Sequence, residues 1–324
     1  MEKKTYYPVY ESVSWEIGNG RYHLKCINEP NSTRGFYACT SQLYMSLIRL
    51  LKNGVTSIDI DMSETYRIYK KDQKYDVYRD VFKKDESILK KSKYAHRLSR
   101  LPLYEGYFHH DHYKDFDYSA LNIVTRSFFS PSDQVEKREQ EIIKKYKINP
   151  AKTIAVFYRG TDKSTEVKLA SQESFVDFAR KFLKKNRGFK ILLQTDQDQV
   201  ADTFTKTFKG SCVVLKELPM AAGVIAVHHS LIPDLEKYQH VITLDAIVRI
   251  LSRCKYVINS TGNVACFIAL YRGNTKKLFQ FDSNGELIFP SFNWYKAAGL
   301  VGQYIRTRSP RLFRFLKPYF PDKK

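Results

Sequence analysis

From Thr153 to Phe281 short apolar runs bounded by turns alternate with stretches of helical period, and this rhythm constrains the fold more than any other feature of the chain. Strands are expected at 153–158, 189–194, 212–215, 255–259 and 277–281, with helices at about 171–186, 197–208, 242–253 and 264–272. A strand that feeds a helix and then another strand needs a crossover, so the strands must lie parallel. The expected class is therefore α/β, a doubly wound sheet with helices on both faces. One long irregular stretch, Lys216 to Gln239, interrupts the rhythm and carries His228, His229 and Pro233.

The earlier part of the chain is less regular. Leu24 to Ile27 and Ser57 to Ile60 read as strands around a helix from Ser41 to Lys52, whose Leu43, Leu47, Leu50 and Leu51 fall at helical spacing. Asn31 to Gly35 is a turn-rich approach to that helix. Ser130-Pro131-Ser132-Asp133 then gives a turn and an N-cap, Gln134 to Lys147 a charged helix, and Asn149-Pro150 its end. At 324 residues the chain has room for two packed domains. We expect a Rossmann-like N-terminal domain over 1–148, a second Rossmann-like domain over 149–290, and a C-terminal tail over 291–324. The tail, helical from Phe292 to Leu316 and basic at Arg306, Arg308, Arg311 and Arg314, is expected to pack back on the N-terminal domain. An anionic membrane surface is its second reading.

Composition narrows the function classes. Lys and Arg number 54 against 34 Asp and Glu, and the net charge of +20 draws phosphorylated substrates, anionic lipid or nucleic acid alike. Many of the lysines sit in solvated runs such as Lys83-Lys84 and Lys144-Lys145, and no helix-turn-helix, RRM or zinc pattern accompanies them. A basic nucleic-acid-binding protein is thus the alternative, not the first choice, and no specific nucleic acid is expected as a partner. The five cysteines have no C-x-x-C spacing, which argues against a disulfide framework and against zinc. No signal-like segment and no apolar run of about 20 residues is seen, so a cytoplasmic protein is expected, with a peripheral membrane contact as a second reading.

Four polar clusters fall where strands of the second half should end, which is where open α/β sheets bind ligands. The first follows Val156-Phe157-Tyr158 and comprises Arg159, Asp162, Lys163 and Glu166. Here a planar guanidinium fork and a point charge suit a phosphate. The second is Gln194-Thr195-Asp196-Gln197-Asp198, and the third is Asp245 at the head of an apolar helix. The fourth, Asn259-Ser260-Thr261-Gly262-Asn263, precedes a helix whose free N–H groups and dipole favour an anion.

In that order these segments resemble the donor domain of the superfamily that joins α-1,6-fucosyltransferases, rhizobial nodulation fucosyltransferases and protein O-fucosyltransferases. The resemblance runs over about residues 121 to 282. It implies a GT-B fold, two Rossmann-like domains facing across a cleft, and an inverting transfer of fucose from GDP-fucose to a glycan or other hydroxyl acceptor, with neither metal nor cofactor. Carried over by position, Arg159 would contact the β-phosphate, and Gly160, Thr161, Asp162 and Lys163 would shape its loop. Glu166 would be the base, with Asp162 second. Asp196 matches the first of two family acids, Asp245 the acid near guanine, and Thr261, Gly262 and Asn263 the phosphate-binding triplet. Phe157 stands where the family commonly has a histidine, so a nucleobase or ribose contact is either lost or replaced by stacking.

Two metal-like patterns compete. Asp59-Ile60-Asp61 follows a strand like the D-x-D of metal-dependent transferases, and His109-His110-Asp111-His112 has ligand-type side chains. Alternating acids after a strand are common by chance and the regular βα units lie after residue 150, while adjacent residues on one strand or loop point in different directions and seldom converge, so neither is assigned a metal. A catalytically inactive sugar-nucleotide-binding module on the same fold is the other functional alternative.

Overall fold

The structure is a computed structural model that describes residues 10–16, 21–27, 34–70, 76–89, 92–99, 101, 110–161, 168–221 and 236–288. The expected tail helix at Phe292 to Leu316 lies outside the described residues, as do His109, His228 and His229. In chain order the elements are β1 (Tyr10–Glu16), β2 (Arg21–Ile27), α1 (Phe36–Lys52), β3 (Ile58–Glu64), α2 (Val77–Val81), β4 (Phe82–Lys83), α3 (Ser92–Ser99), α4 (Tyr118–Phe128), β5 (Ser130–Pro131) and α5 (Asp133–Tyr146). They continue with β6 (Thr153–Tyr158), α6 (Gln172–Lys185), β7 (Lys190–Thr195), α7 (Asp198–Thr207), β8 (Cys212–Val214), α8 (Lys237–Arg253), β9 (Tyr256–Ser260), α9 (Asn263–Arg272), β10 (Leu278–Phe281) and β11 (Leu287–Ile288).

The α/β expectation is met. Six strands form one sheet in the order β11-β10-β9-β6-β7-β8. All pairings but one are parallel, the exception being the terminal β10–β11 hairpin pair. Every residue of β6 is buried, as a central strand covered on both faces requires. Its side chains alternate: Ala155 and Phe157 join the core with α8 and α9, while Ile154, Val156 and Tyr158 join a second core with α6 and α7. The chain leaves β6 towards β7 and β8 on one side and returns to β9 on the other. The strand order therefore reverses at β6, and a crevice is expected outside the carboxyl ends of β6 and β9.

In the first half, β2, α1 and β3 make one crossover unit, since β2 and β3 pair in parallel. Strand β1, absent from the sequence expectation, adds antiparallel to β2. Helix α1 begins at Phe36, five residues before the expected Ser41, because Phe36 and Tyr37 are themselves buried and extend its apolar stripe. The core that holds α1 and α4 continues without a break into α8 and α9, and residues up to Ile288 form one compact unit. Residue 148, where the sequence places a boundary, lies in the turn between α5 and β6, just after Lys147 with its positive φ of 50°.

The two carboxylates of Asp59-Ile60-Asp61 lie along β3 beside basic side chains. Asp59 is 2.8 Å from Arg21, and Asp61 is 3.9 Å from Lys25. His112 is 3.6 Å from Asp282. Among the described residues no group of three or more His, Cys, Asp or Glu side chains is placed to hold a metal, and no helix is long and apolar enough to cross a membrane. The five cysteines are free thiols.

Candidate active site

The parallel register of β6 and β7 sets Tyr158 beside Thr195, so the next residues, Arg159 and Asp196, emerge together at the sheet edge. Asp196 then fixes the loop that follows β6. Its Oδ1 accepts the Gly160 N–H at 3.0 Å, its Oδ2 accepts the Thr161 hydroxyl at 2.6 Å, and the same oxygen lies 3.8 Å from Arg159 Nε. A carboxylate committed to a loop in this way fixes where the guanidinium beside it emerges. Gly160 is demanded by space. A Cβ there would stand 2.7 Å from Tyr158 Cε1, and that ring is packed edge-on against Phe175 at 5.1 Å. Gly160→Ala should therefore cost about 1–3 kcal/mol in urea unfolding, the range for overpacking, and should displace Arg159.

The β9–α9 turn supplies the second anion-attracting element. Gly262 holds φ 145° and ψ 168°, a conformation open essentially to glycine alone, and both its N–H and its carbonyl bond the Tyr113 hydroxyl at 3.1 Å. The helix that follows starts with backbone N–H groups that have no intrahelical acceptor. The Asn263 side chain turns away from them, its Oδ1 accepting the Ser41 hydroxyl of α1 at 2.7 Å. Helix α9 is thereby tied to α1.

Arg159, Thr161, Asp196, Asn263 and Val264 line one cavity of about 380 Å³. Phe157, Tyr158, Gln194 and Thr195, from the ends of β6 and β7, line it as well, and the rest of the wall comes largely from residues outside the four expected clusters. Arg34 and Gly35 precede α1, Phe36, Tyr37 and Ala38 open it, and Tyr69, His240 and Leu244 complete that side. Arg34 Nη1 donates to Gln42 Oε1 at 3.2 Å. Leu218 and Pro219, from the segment after β8, close another side. They follow Glu217, whose carboxylate takes Arg138, Lys145 at 2.6 Å and the Tyr146 hydroxyl at 3.0 Å, all from α5.

The expected site residues are placed unequally. Arg159, Thr161, Asp196 and Asn263 are brought together on the cavity wall. Gly160 shapes the loop, while Thr261, at 3 % exposure, and Gly262 lie behind the wall and set the start of α9. Asp162, Lys163 and Glu166 lie outside the described residues. Asp245, expected near a base, is instead fully buried. Its Oδ1 accepts the Tyr37 and Tyr271 hydroxyls at 2.6 and 2.7 Å, and its Oδ2 takes Arg249 Nε at 2.6 Å. Burial first, and then the Asp245 charge, holds the Tyr37 phenol well above its usual pKa, so it stays a donor. Burial works against the Arg249 charge, but Asp245, Tyr271 and Tyr37 together outweigh it and keep the guanidinium above its ordinary value. With every partner internal, Asp245 supports the wall from behind, through Tyr37.

No protein-family model and no curated protein matches the chain. Solved structures similar to it include a NodZ α-1,6-fucosyltransferase co-crystallized with GDP, at TM-score 0.36 and 17% identity over 52% of this chain and 51% of that one. The fucosyltransferase NodZ from Bradyrhizobium is similar at TM-score 0.35 and 17% identity, over 52% of this chain and 51% of that one. An Arabidopsis thaliana FUT1 mutant in complex with GDP is similar at TM-score 0.33 and 13% identity, over 50% of this chain and 36% of that one. The chain spans about half the length of the NodZ structures it matches.

Proposed function

We propose that this chain is a GT-B-type glycosyltransferase that moves a sugar, fucose as the first choice, from a nucleoside diphosphate donor to a hydroxyl of a glycan or related acceptor, with inversion and without a metal. The observation that carries this reading is the convergence of Arg159, held by Asp196, with the N-terminus of α9 on one cavity. In the reaction the acceptor oxygen forms a bond to the anomeric carbon as the bond from that carbon to the β-phosphate oxygen breaks. The electron pair leaves with the nucleoside diphosphate. Its growing charge is met by the Arg159 fork and the first N–H groups of α9, which act best where water is excluded. The acceptor proton passes to a carboxylate, for which Glu166 and then Asp162 are proposed. GDP-fucose is the donor that the motif order favours.

A panel of GDP-, UDP- and dTDP-sugars, assayed for nucleotide release with and without EDTA, tests this. GDP-fucose should be turned over at equal rates in both conditions. Loss of turnover in EDTA with recovery on adding Mn²⁺ would overturn the metal-free scheme, and no turnover of any sugar nucleotide would overturn the enzyme reading.

A further inference from the structure

Resting on the donor-binding reading above, we infer that Gln194, with Phe157 beside it, reads the nucleobase of the donor through an N–H group of that base. Gln194 lies on β7 opposite Phe157 of β6, and both residues line the cavity that holds Arg159. Gln194 is only 4 % exposed, and its Nε2 donates to the Thr195 carbonyl at 3.1 Å, an amide orientation that leaves Oε1 as the acceptor. That Oε1 accepts no hydrogen bond among the described residues. A buried acceptor left unpaired is costly to a fold, and such groups in native proteins call for a specific explanation.

The surroundings select the partner. Phe157, Leu218, Leu244 and Val264 give the cavity apolar lining, which suits a flat ring, and Phe157 offers that ring a face to stack on. A ring that also presents an N–H to Oε1 is a nucleobase, through its lactam N–H or its exocyclic amine. The diphosphate would be engaged separately, at Arg159 and the start of α9. Asn259, on the other side of Phe157, also has an unpaired amide, but it does not line the cavity and is not part of this subsite.

The test measures binding of GDP, UDP, ADP and inorganic pyrophosphate to the full chain by calorimetry, in the wild type and in Gln194→Met, which keeps the volume and removes the amide. One nucleotide should bind the wild type more tightly than pyrophosphate does. Gln194→Met should weaken that nucleotide about tenfold and leave pyrophosphate unchanged, the loss expected for one buried hydrogen bond. The melting temperature of the unliganded variant should not fall, because an unpaired acceptor has been removed. Gln194→Glu retains an acceptor and should hold the nucleotide to within about threefold of the wild type. Equal nucleotide affinity in wild type and Gln194→Met, or a parallel loss of pyrophosphate, would overturn the assignment. If pyrophosphate binds the wild type but no nucleotide binds better, the base subsite falls while the diphosphate site stands. If neither binds, the donor-site reading falls and takes this one with it.

Discussion

Replacing Arg159 with alanine is expected to lower kcat/KM for sugar transfer by about 10²–10³, the cost of removing one preorganised donor to a developing charge. The loss should fall mainly on kcat. Charge on the departing diphosphate grows toward the transition state, so a group that meets it binds the transition state more strongly than the bound donor. The residue after it is glycine, and Asp196 holds the loop through Gly160 and Thr161 as well as through Arg159, so the alanine variant should stay folded. Arg159→Lys should recover only part of the rate, because an ammonium cannot present the paired donors of the fork. Initial rates at saturating and limiting donor separate the two parameters, and an unchanged kcat would remove Arg159 from the transition state.

Asp245→Ala should produce the largest loss of stability in the molecule, about 3–5 kcal/mol, the cost of leaving a buried guanidinium without its counter-ion. Arg249 is 9 % exposed, lies 4.0 Å from the centre of the Tyr271 ring, and would keep the Phe129 carbonyl at 2.7 Å as its hydrogen-bond acceptor among the described residues. The Tyr37 and Tyr271 hydroxyls would lose their shared acceptor at the same time. Urea unfolding measures this directly. If Asp245 served the donor instead, the variant would unfold at the wild-type midpoint and lose only nucleotide affinity.

These two residues also show how far the sequence could be read. Arg159, Thr161, Asp196 and Asn263 were legible because each follows a buried parallel strand, and strand ends in open sheets are where ligands bind. Asp245 had the same local look, an acid in an apolar helix. Its role depends on Tyr37 and Tyr271, residues 208 and 26 positions away in the chain, and no local pattern reports such partners. Arg34 left a fainter signal. Arg34-Gly35 repeats the Arg-Gly pair of 159 and 160 just before a helix, but only the packing of α1 against α9 brings it to the same cavity.

The elements divide in the same way. Strand β6 matches its expected limits because both its faces are buried and its apolar run is unbroken. Helix α4 went unread although Asp117 caps it and Leu121, Val124 and Phe128 carry its period, because a Tyr-rich polar stretch surrounds them. Strand β1, Tyr-Glu-Ser-Val-Ser-Trp-Glu, has few apolar residues and pairs with one neighbour only. Edge strands of that kind give weak sequence signals.

A crystal structure of the full chain with GDP would show whether the cavity holds a nucleoside diphosphate between Arg159 and the start of α9, as proposed. The expected result is a diphosphate whose oxygens lie within hydrogen-bond reach of the Arg159 guanidinium and the Val264 N–H, with the base against Phe157. A diphosphate bound elsewhere on the chain, or within the cavity but out of reach of both groups, would contradict it.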